Sequence, residues 1–511
     1  MTLLPKLSPL SAKAIGVLAV ALLVAGCVVG PDYRAPPQDV PVTWQVEAPW
    51  REAAPNDALD KGPWWRRFGD AQLDALAQQA LDRSPTLAQA QARLSQARAT
   101  VSANEASRYP QIGLGSRTSR SKISANRPLT NYNATNFSTV QNDFALSLTA
   151  SYELDLVGRV QRLVEGATAS AAQSAADLEN TRLVLTADLA TNYFNLRSTD
   201  TELDVLARGI ALQRRALELV TARHDLGAVS GVDVAQQQAL LETTLVQVDV
   251  LRRTRSQYEH AIATLTGTPA PVFSLAPDLT PIAPPAIPIG VPSEALERRP
   301  DVAAAERAMA AANAQIGVAT AAFYPSITLA PSIGLDSRVI DTLFDAPSLL
   351  WSVGASASQS LFDGGRVRAN VDFARGGYDA TVANYRRVVL TAMQEAEDGI
   401  TGLAALDRAS AQSLSAVTAA QRVLDMATSR YEGGASTYLD VITAQQSLLT
   451  AERQAAQLLG QRLVTSVFLV KALGGDWCGV DAGRAPEGDA RCPAPIRRVA
   501  TAVATPAAAT R

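Results

Sequence analysis

The distribution of apolar and polar residues separates stretches with a helical period from stretches with a strand period. Across residues 185–220, steps of four and three place mostly apolar side chains on one stripe, which is the pattern of a coiled-coil seam. A helix covering about 160–225 would be roughly 100 Å long at 1.5 Å per residue. A packed helix in a soluble bundle has a similar stripe, but this length favours an extended coiled coil.

Four shorter stretches alternate between apolar and small polar residues, the two-residue period of a β-strand. They are residues 144–153, 326–336 and 351–358, with a weaker stretch beginning at Ile112. The alternation fits strands with one face toward lipid and the other toward water, although a half-buried soluble sheet has the same pattern. Four strands leave unpaired edges, so a membrane-spanning sheet would be shared between chains. Three copies would supply twelve strands.

An internal repeat relates the two halves of the chain. The tripeptide Gly-Arg-Val at 158–160 recurs at 365–367. Proline is absent from 129–268 and from 348–485, which permits long helices there, and it is dense in 269–300. These observations predict two similar repeats joined by an extended linker.

The signals predict six consecutive segments. They are an export signal at 1–26, an extended, lipidated N-terminal segment at 27–75, a first repeat at 76–268, a proline-rich linker at 269–299, a second repeat at 300–475 and a C-terminal tail at 476–511. Each repeat is predicted to contain a helix, then two strands within 111–156 or 326–362, then a long helical hairpin at 157–268 or 363–475.

The N-terminus has the pattern of an export signal. Residues 1–13 contain lysines and no acidic residue, and the apolar run 14–25 follows them. This run is too short for a transmembrane helix, which needs about 20 residues. The run ends in Val24-Ala25-Gly26-Cys27, which resembles the lipobox of bacterial lipoproteins, where the cysteine is acylated and becomes the first residue. The alternative is a plain signal peptide followed by an ordinary cysteine.

Composition excludes several functional classes. The 46 Lys and Arg nearly balance the 49 Asp and Glu, so nucleic acid is not an expected partner. No zinc-ligand spacing, phosphate loop or nucleophile elbow is present, and we therefore expect no enzyme activity, metal or cofactor. Once Cys27 is acylated, Cys478 and Cys492 would form a disulfide in an oxidising compartment or stay as free thiols.

Three motifs stand within a duplicated order that covers 60–475: residues 27–33, residues 64–70, and residues 430–434 followed by 439–441. Together they resemble the TolC-like outer-membrane factor family, specifically its NodT-type efflux lipoproteins. The resemblance implies an α+β membrane protein with four β-strands and long coiled-coil hairpins in each chain. It further implies a homotrimer, in which a 12-stranded β-barrel in the outer membrane continues into a 12-helix α-barrel in the periplasm.

The resemblance also implies a function and partners. Such proteins are passive ducts of tripartite pumps that carry drugs or other small toxic compounds to the outside. A periplasmic adaptor connects the duct to an inner-membrane transporter of the resistance-nodulation-division type. The chain would be anchored in outer-membrane lipid through Cys27, and Val28, in place of an aspartate, agrees with that sorting. The alternatives are a duct for type I protein or peptide secretion and, in another class, a lipid-anchored periplasmic coiled-coil adaptor.

The predicted hairpin turns, 226–233 and 433–440, are the candidate site. By resemblance, Asp233 and Tyr431 match a pair whose hydrogen bond between neighbouring hairpins closes the periplasmic entrance. Asp440 likewise matches an aspartate ring at the constriction, where three carboxylates would attract cations. Both aspartates also stand where the N-terminus of a returning helix favours an acidic cap, and the two roles are compatible.

Small residues at the same turns permit close approach of an adaptor. The candidate contact residues are Gly227, Ser230, Gly434, Ser436 and Thr437. Some family members carry a second acid where this chain has Thr443, and others carry an arginine latch in place of Ser436. The resemblance therefore implies a weaker latch and a single acidic ring in this chain.

Overall fold

The computed structural model describes residues 28–34, 62–126, 139–285 and 299–475. The predicted signal at 1–26, the acylation site Cys27 and the tail with Cys478 and Cys492 lie outside these residues. These described residues form two compact units. One draws on 28–34, 92–126, 139–175 and 304–386, and the other on 62–91, 176–285, 299–303 and 387–475.

Helices account for most of the described chain, and three helices of the first half have counterparts of the same length in the second. The helices are α1 (Ala71–Arg83), α2 (Pro85–Ala106), α3 (Arg159–Asp225), α4 (Gly231–Leu265), α5 (Pro300–Ala321), α6 (Arg366–Glu432) and α7 (Tyr438–Ala472). α2 and α5 each have 22 residues, α3 and α6 each have 67, and α4 and α7 each have 35. In the described ranges, no helix combines the length and the apolar character needed to cross a membrane.

The first unit contains an antiparallel sheet of six strand segments. They are β1 (Gln111–Ile123), β2 (Thr139–Leu154), β3 (Ser326–Leu329), β4 (Ser332–Ser337), β5 (Leu349–Ser352) and β6 (Ala355–Ser358). β2 is central: it pairs with β1 along one edge and with β4 and β3 along the other. β5 then pairs with β4, and β6 pairs with β3.

Two of the four predicted strands are interrupted. The first break lies at Ala330-Pro331, where proline has no N–H to donate to the ladder, and the second lies at Val353-Gly354. Pairing continues through the breaks, because the Ala330 amide donates to the Gly354 carbonyl and the Ala150 amide donates to the Pro331 carbonyl, both at 2.9 Å. Each interrupted strand therefore keeps its place in the sheet as two segments.

The segment before the first repeat is partly helical, whereas the sequence predicted an extended chain up to residue 75. Trp64–Phe68 is a 3₁₀ turn, and α1 follows it because the Asp70 carboxylate accepts hydrogen bonds from the amides of Gln72 and Leu73 at 2.9 Å. The buried Trp64 indole donates to Thr186 Oγ1 of α3 at 3.2 Å. Apolar packing on α3 therefore overrides the extended chain that we predicted.

A buried ion pair ties α1 to the first hairpin in the second unit. Arg197 of α3, whose side chain is 5% exposed, donates to Asp70 Oδ2 at 2.9 Å and to the Tyr193 hydroxyl at 2.7 Å. It also donates to the Thr280 carbonyl at 2.7 Å. These acceptors satisfy the buried guanidinium. The contact also holds two segments against α3: the one at Asp70, which precedes the hairpin in the chain, and the one at Thr280, which follows it.

Candidate functional site at the hairpin turns

The first long helix, α3, ends in a turn that requires glycine. Gly227 has a φ of +75°, a left-handed conformation that other residues rarely adopt. Its amide donates to the His224 carbonyl at 2.8 Å, and the Ala228 amide donates to the Arg223 carbonyl at 2.9 Å. These two bonds form a Schellman motif, which satisfies carbonyls left unpaired at a helix C-terminus.

The second long helix, α6, ends in the same way. Gly434 has a φ of +72°, and its amide donates to the Tyr431 carbonyl at 3.0 Å. The Ala435 amide donates to the Arg430 carbonyl at 2.8 Å, which completes the second Schellman motif. The two turns are therefore built identically, 207 residues apart in the sequence.

The returning helices begin with aspartate caps. The Asp233 carboxylate accepts the Ser230 amide at 3.3 Å, while Ser230 Oγ accepts the Val232 amide at 3.2 Å. In the second turn, the Asp440 carboxylate accepts the Thr437 amide at 3.2 Å and the Thr437 hydroxyl at 3.3 Å. Each aspartate stabilises the first turn of its own helix.

These caps also make both connections shorter than the sequence predicted. The predicted turns ended at residues 233 and 440, but α4 begins at Gly231 and α7 at Tyr438. Asp233 and Asp440 thus belong to helices, because their carboxylates pair with the backbone that starts them. Of the five predicted contact residues, Gly227, Ser230, Gly434 and Thr437 are exposed and Ser436 is half-buried.

The side chains of the two turns differ at several corresponding positions, among them His224 against Tyr431 and Gly231 against Tyr438. His224 Nδ1 lies 3.0 Å from the Val229 carbonyl oxygen and closes the first turn. The Tyr431 ring instead packs on the Tyr438 ring with centroids 5.1 Å apart, and the Arg223 guanidinium lies 5.0 Å from its centroid. Only the second turn therefore presents an aromatic stack.

Asp233 and Tyr431 each act electrostatically on Tyr438. Burial is the main cause that raises the pKa of Tyr438, and Tyr431 and Asp233 raise it further. Within the described chain, the buried Tyr431 hydroxyl and Ser436 Oγ have no hydrogen-bond partner. No hydrogen bond joins Asp233 to Tyr431 among the described residues, and the bond between neighbouring hairpins stays a prediction.

A buried series of hydrogen bonds, which the sequence did not predict, lies beneath the turns. The Tyr438 hydroxyl donates to Gln237 Oε1 at 2.9 Å, and Gln237 Nε2 donates to the Gln213 carbonyl at 3.0 Å. These hydrogen bonds link α7 to α4 and α3, and so link one hairpin to the other. The acceptor on α3 is the main-chain carbonyl of Gln213, which any residue would supply, so no sequence signal pointed to this arrangement.

A groove of about 680 Å³ lies beside Tyr438, between α3, α6 and α7. Its lining combines the apolar side chains of Leu219 and Leu424 with Tyr431, Tyr438 and the carboxylate of Glu432. Among the described residues, no cluster of His, Cys, Asp and Glu could hold a metal ion. The arrangement offers surfaces for packing and hydrogen bonding.

Comparison with known proteins gives consistent matches along the chain. The model of the family described as outer membrane efflux protein matches residues 76–268 and 291–475. The pyoverdine export outer membrane protein OpmQ of Pseudomonas aeruginosa is 31% identical over 469 residues, which are 92% of this chain and 98% of that protein. The toluene efflux pump outer membrane protein TtgF of Pseudomonas putida is 31% identical over 468 residues, 90% and 96% of the two chains.

A solved structure shares the fold at similar identity. The outer-membrane channel OprN matches with a TM-score of 0.78 at 30% identity, over 88% of this chain and 100% of that one. The shared fold extends across both repeats rather than over an isolated hairpin.

Proposed function

The chain belongs to the outer membrane efflux protein family, and from this premise we propose the assembly in which it works. It is an outer-membrane efflux channel. We propose that three copies form the passive duct of a tripartite pump, with a 12-stranded β-barrel continuous with a 12-helix α-barrel. A periplasmic adaptor and an inner-membrane transporter of the resistance-nodulation-division type would complete the pump.

The equal lengths of the two hairpins carry this proposal. Both long helices have 67 residues and both returning helices have 35, so each hairpin ends the same distance from its start. Three chains with such hairpins supply six equivalent turns, which suit one ring at the periplasmic end. A single-hairpin adaptor would not need this equality.

The sheet supports sharing of strands between chains. Among the described strands, the outer edges of β1 and of β5 with β6 have no partner strand. Apolar side chains such as Leu114, Leu349 and Trp351 are exposed on these strands. Lipid and neighbouring copies would cover both the open edges and the apolar side chains.

We propose that the turns form the periplasmic gate. The buried Tyr431 hydroxyl has no partner among the described residues, and a carboxylate from a neighbouring hairpin would satisfy it. Asp233 is half-buried and fits that role, while the exposed Asp440 fits a ring of three acids. Capping and gating use different oxygen lone pairs of the same carboxylate, so one residue serves both.

The adaptor contact is proposed at the exposed ends of the turns. Gly227, Ser230, Gly434 and Thr437 present little side-chain bulk, and Ser436 lies between the last two. The neighbouring groove of about 680 Å³ adds apolar and acidic surface for a helical partner. These features favour docking of a helical hairpin end-on to the turns.

Small molecules are the proposed cargo. The relatives are named for pyoverdine export and for toluene efflux, two compounds of very different polarity. Because relatives equally similar to this chain are named for such different compounds, the shared fold does not fix the cargo, and we assign selection to the inner-membrane transporter. This range favours efflux over secretion of a protein or peptide.

Single-channel conductance in planar bilayers tests the proposed gate. The purified trimer is compared with a Tyr431→Phe/Asp440→Asn variant, where asparagine keeps an acceptor for the Thr437 amide but loses the charge. We expect low conductance in the parent protein and a several-fold higher conductance in the variant.

A Thr437→Ala variant is the matched control, because it disturbs the cap and leaves Tyr431 and Asp440 in place. Equal conductance of parent and double variant would remove the gate assignment while leaving the channel intact. An equal rise in the control and the double variant would assign the effect to the cap and contradict the gate.

A further inference from the structure

The first described residues after Cys27 are held against the first unit. The Val29 amide donates to the Val157 carbonyl at 3.0 Å, just ahead of α3. Asn313 of α5, which is buried, donates from Nδ2 to the Pro31 carbonyl at 2.8 Å. Two separate elements therefore bind the backbone of this short segment, which we call the N-terminal segment, Val28–Tyr33.

Arg162 is the centre of the contact. Its side chain is only 4% exposed, and it donates to the carbonyls of Val29 at 3.3 Å and Gly30 at 3.2 Å. It also donates to Asp32 Oδ1 and to Glu165 Oε2, both at 2.8 Å. Three of its four acceptors belong to the N-terminal segment. Without the segment, the buried guanidinium would lose most of its partners.

Glycines make room for the segment. Gly30 has a φ of +100°, and a Cβ at this position would lie 2.6 Å from Gly317 Cα. Gly158 has a φ of +77°, and a Cβ there would lie 2.9 Å from Val28 Cγ1. Backbones approach this closely only without side chains, so the fit is specific on both sides.

We propose that Arg162 and Asn313 form a dock that fixes the N-terminal segment and thereby positions the lipid on Cys27. The inference rests on the acylation of Cys27 that the lipobox at 24–27 predicts. One peptide bond joins Cys27 to Val28, so consecutive Cα atoms lie about 3.8 Å apart. Val28 packs on Gly158, between the end of β2 at Leu154 and the start of α3. The dock therefore holds the lipid anchor near the end of β2. Without the dock, the position of the anchor would vary.

Spin-label mobility at residue 34 tests the dock. The label is attached to an Arg34→Cys variant in which Cys478 and Cys492 are replaced by serine, and spectra are recorded on the full-length protein. We expect an immobilised component in this parent protein. Arg162→Gln should lose that component, because glutamine cannot serve all three acceptors in the segment.

Arg159→Gln is the matched control, three residues away in the first turn of α3. Its guanidinium pairs with Glu153 at 2.6 and 2.8 Å and should leave the label immobilised when removed. Gly30→Ala provides a second route, since it alters only the N-terminal segment and should also release the label. A mobile label in the parent protein, or equal release by both arginine variants, would overturn the dock.

Mass spectrometry of the N-terminal peptide separates the dock from the anchor on which it rests. A diacylglycerol-modified Cys27 with an immobilised label supports both. An unmodified cysteine with an immobilised label leaves a docked segment but overturns the positioning of a lipid. A modified cysteine with a mobile label overturns the dock and leaves the lipid anchor standing.

Discussion

At the level of single residues, the turns depend on buried polar side chains at positions that a helical pattern predicts to be exposed. Tyr438 and Gln237 meet beneath the second turn and are almost completely buried. Their hydrogen bond joins positions 201 residues apart. No local pattern predicts such a pair, because each residue alone looks like an ordinary position of an amphipathic helix.

Tyr438→Phe is expected to destabilise the tips. The change leaves Gln237 Oε1 buried without its donor, which costs about 1–3 kcal/mol. Amide hydrogen exchange across residues 226–237 and 433–445 would measure the loss as faster exchange. Tyr438→Phe with Gln237→Leu removes both partners and should cost less than the two single changes added together. Simple additivity would show that the bond contributes nothing.

Arg197→Met is expected to be strongly destabilising. Removing the guanidinium leaves the nearly buried Asp70 carboxylate without its counter-charge, at a cost of about 3–5 kcal/mol. Arg182→Met is the matched control, because Arg182 is 49% exposed and pairs with Glu179 only at the surface. Thermal unfolding should therefore show a large fall in Tm for the first variant and a small one for the second. Similar shifts would contradict a structural role for the buried pair.

At the level of elements, sequence patterns located the long helices but not their details. The proline-free windows contain α3, α4, α6 and α7, and the offset of 207 residues separates the starts of corresponding helices. The break at Pro331 was missed because alternation alone counts proline as one more apolar position. The helical segment around Trp64 was missed because its partner, Thr186, lies in a helix that is distant in sequence.

The adjacent glycines of the second turn offer an element-level test. Gly434→Ala places a Cβ on a residue with φ of +72° and should cost about 1–2 kcal/mol. Gly433→Ala should be neutral or mildly stabilising, because its Cβ would meet nothing closer than 3.4 Å. Hydrogen exchange of the turn amides measures the difference. Since the first turn has the same construction, Gly227→Ala should match Gly434→Ala, and a markedly smaller effect would contradict the equivalence of the turns.

At the level of the whole molecule, a single chain is incomplete as a channel. Its described sheet has open edges, and apolar side chains such as Leu114 and Trp351 are uncovered. The same incompleteness appears at the tips, where the Tyr431 hydroxyl has no partner among the described residues. Both observations are explained if other copies supply what is missing.

Native mass spectrometry after mild detergent extraction tests that explanation. We expect three chains per particle, because three sheets would pair all open edges. Tyr431→Phe should leave this stoichiometry unchanged, since the strands rather than the turns would hold the copies together. A monomer under conditions that preserve the helical content would contradict the proposed duct.

The equal lengths of the hairpins also constrain how this protein can change over evolution. Deleting one residue from α6 would rotate everything beyond it by about 100° and shorten the helix by about 1.5 Å, while α3 stayed as it was. In the proposed trimer, the three turns that follow α6 would then lie at a different level from the three that follow α3. Changes in length are therefore tolerated only as matched events, 207 residues apart, and near multiples of seven residues, which restore the facing of the coiled-coil stripe. Homologous ducts of different reach should differ from this chain in such pairs.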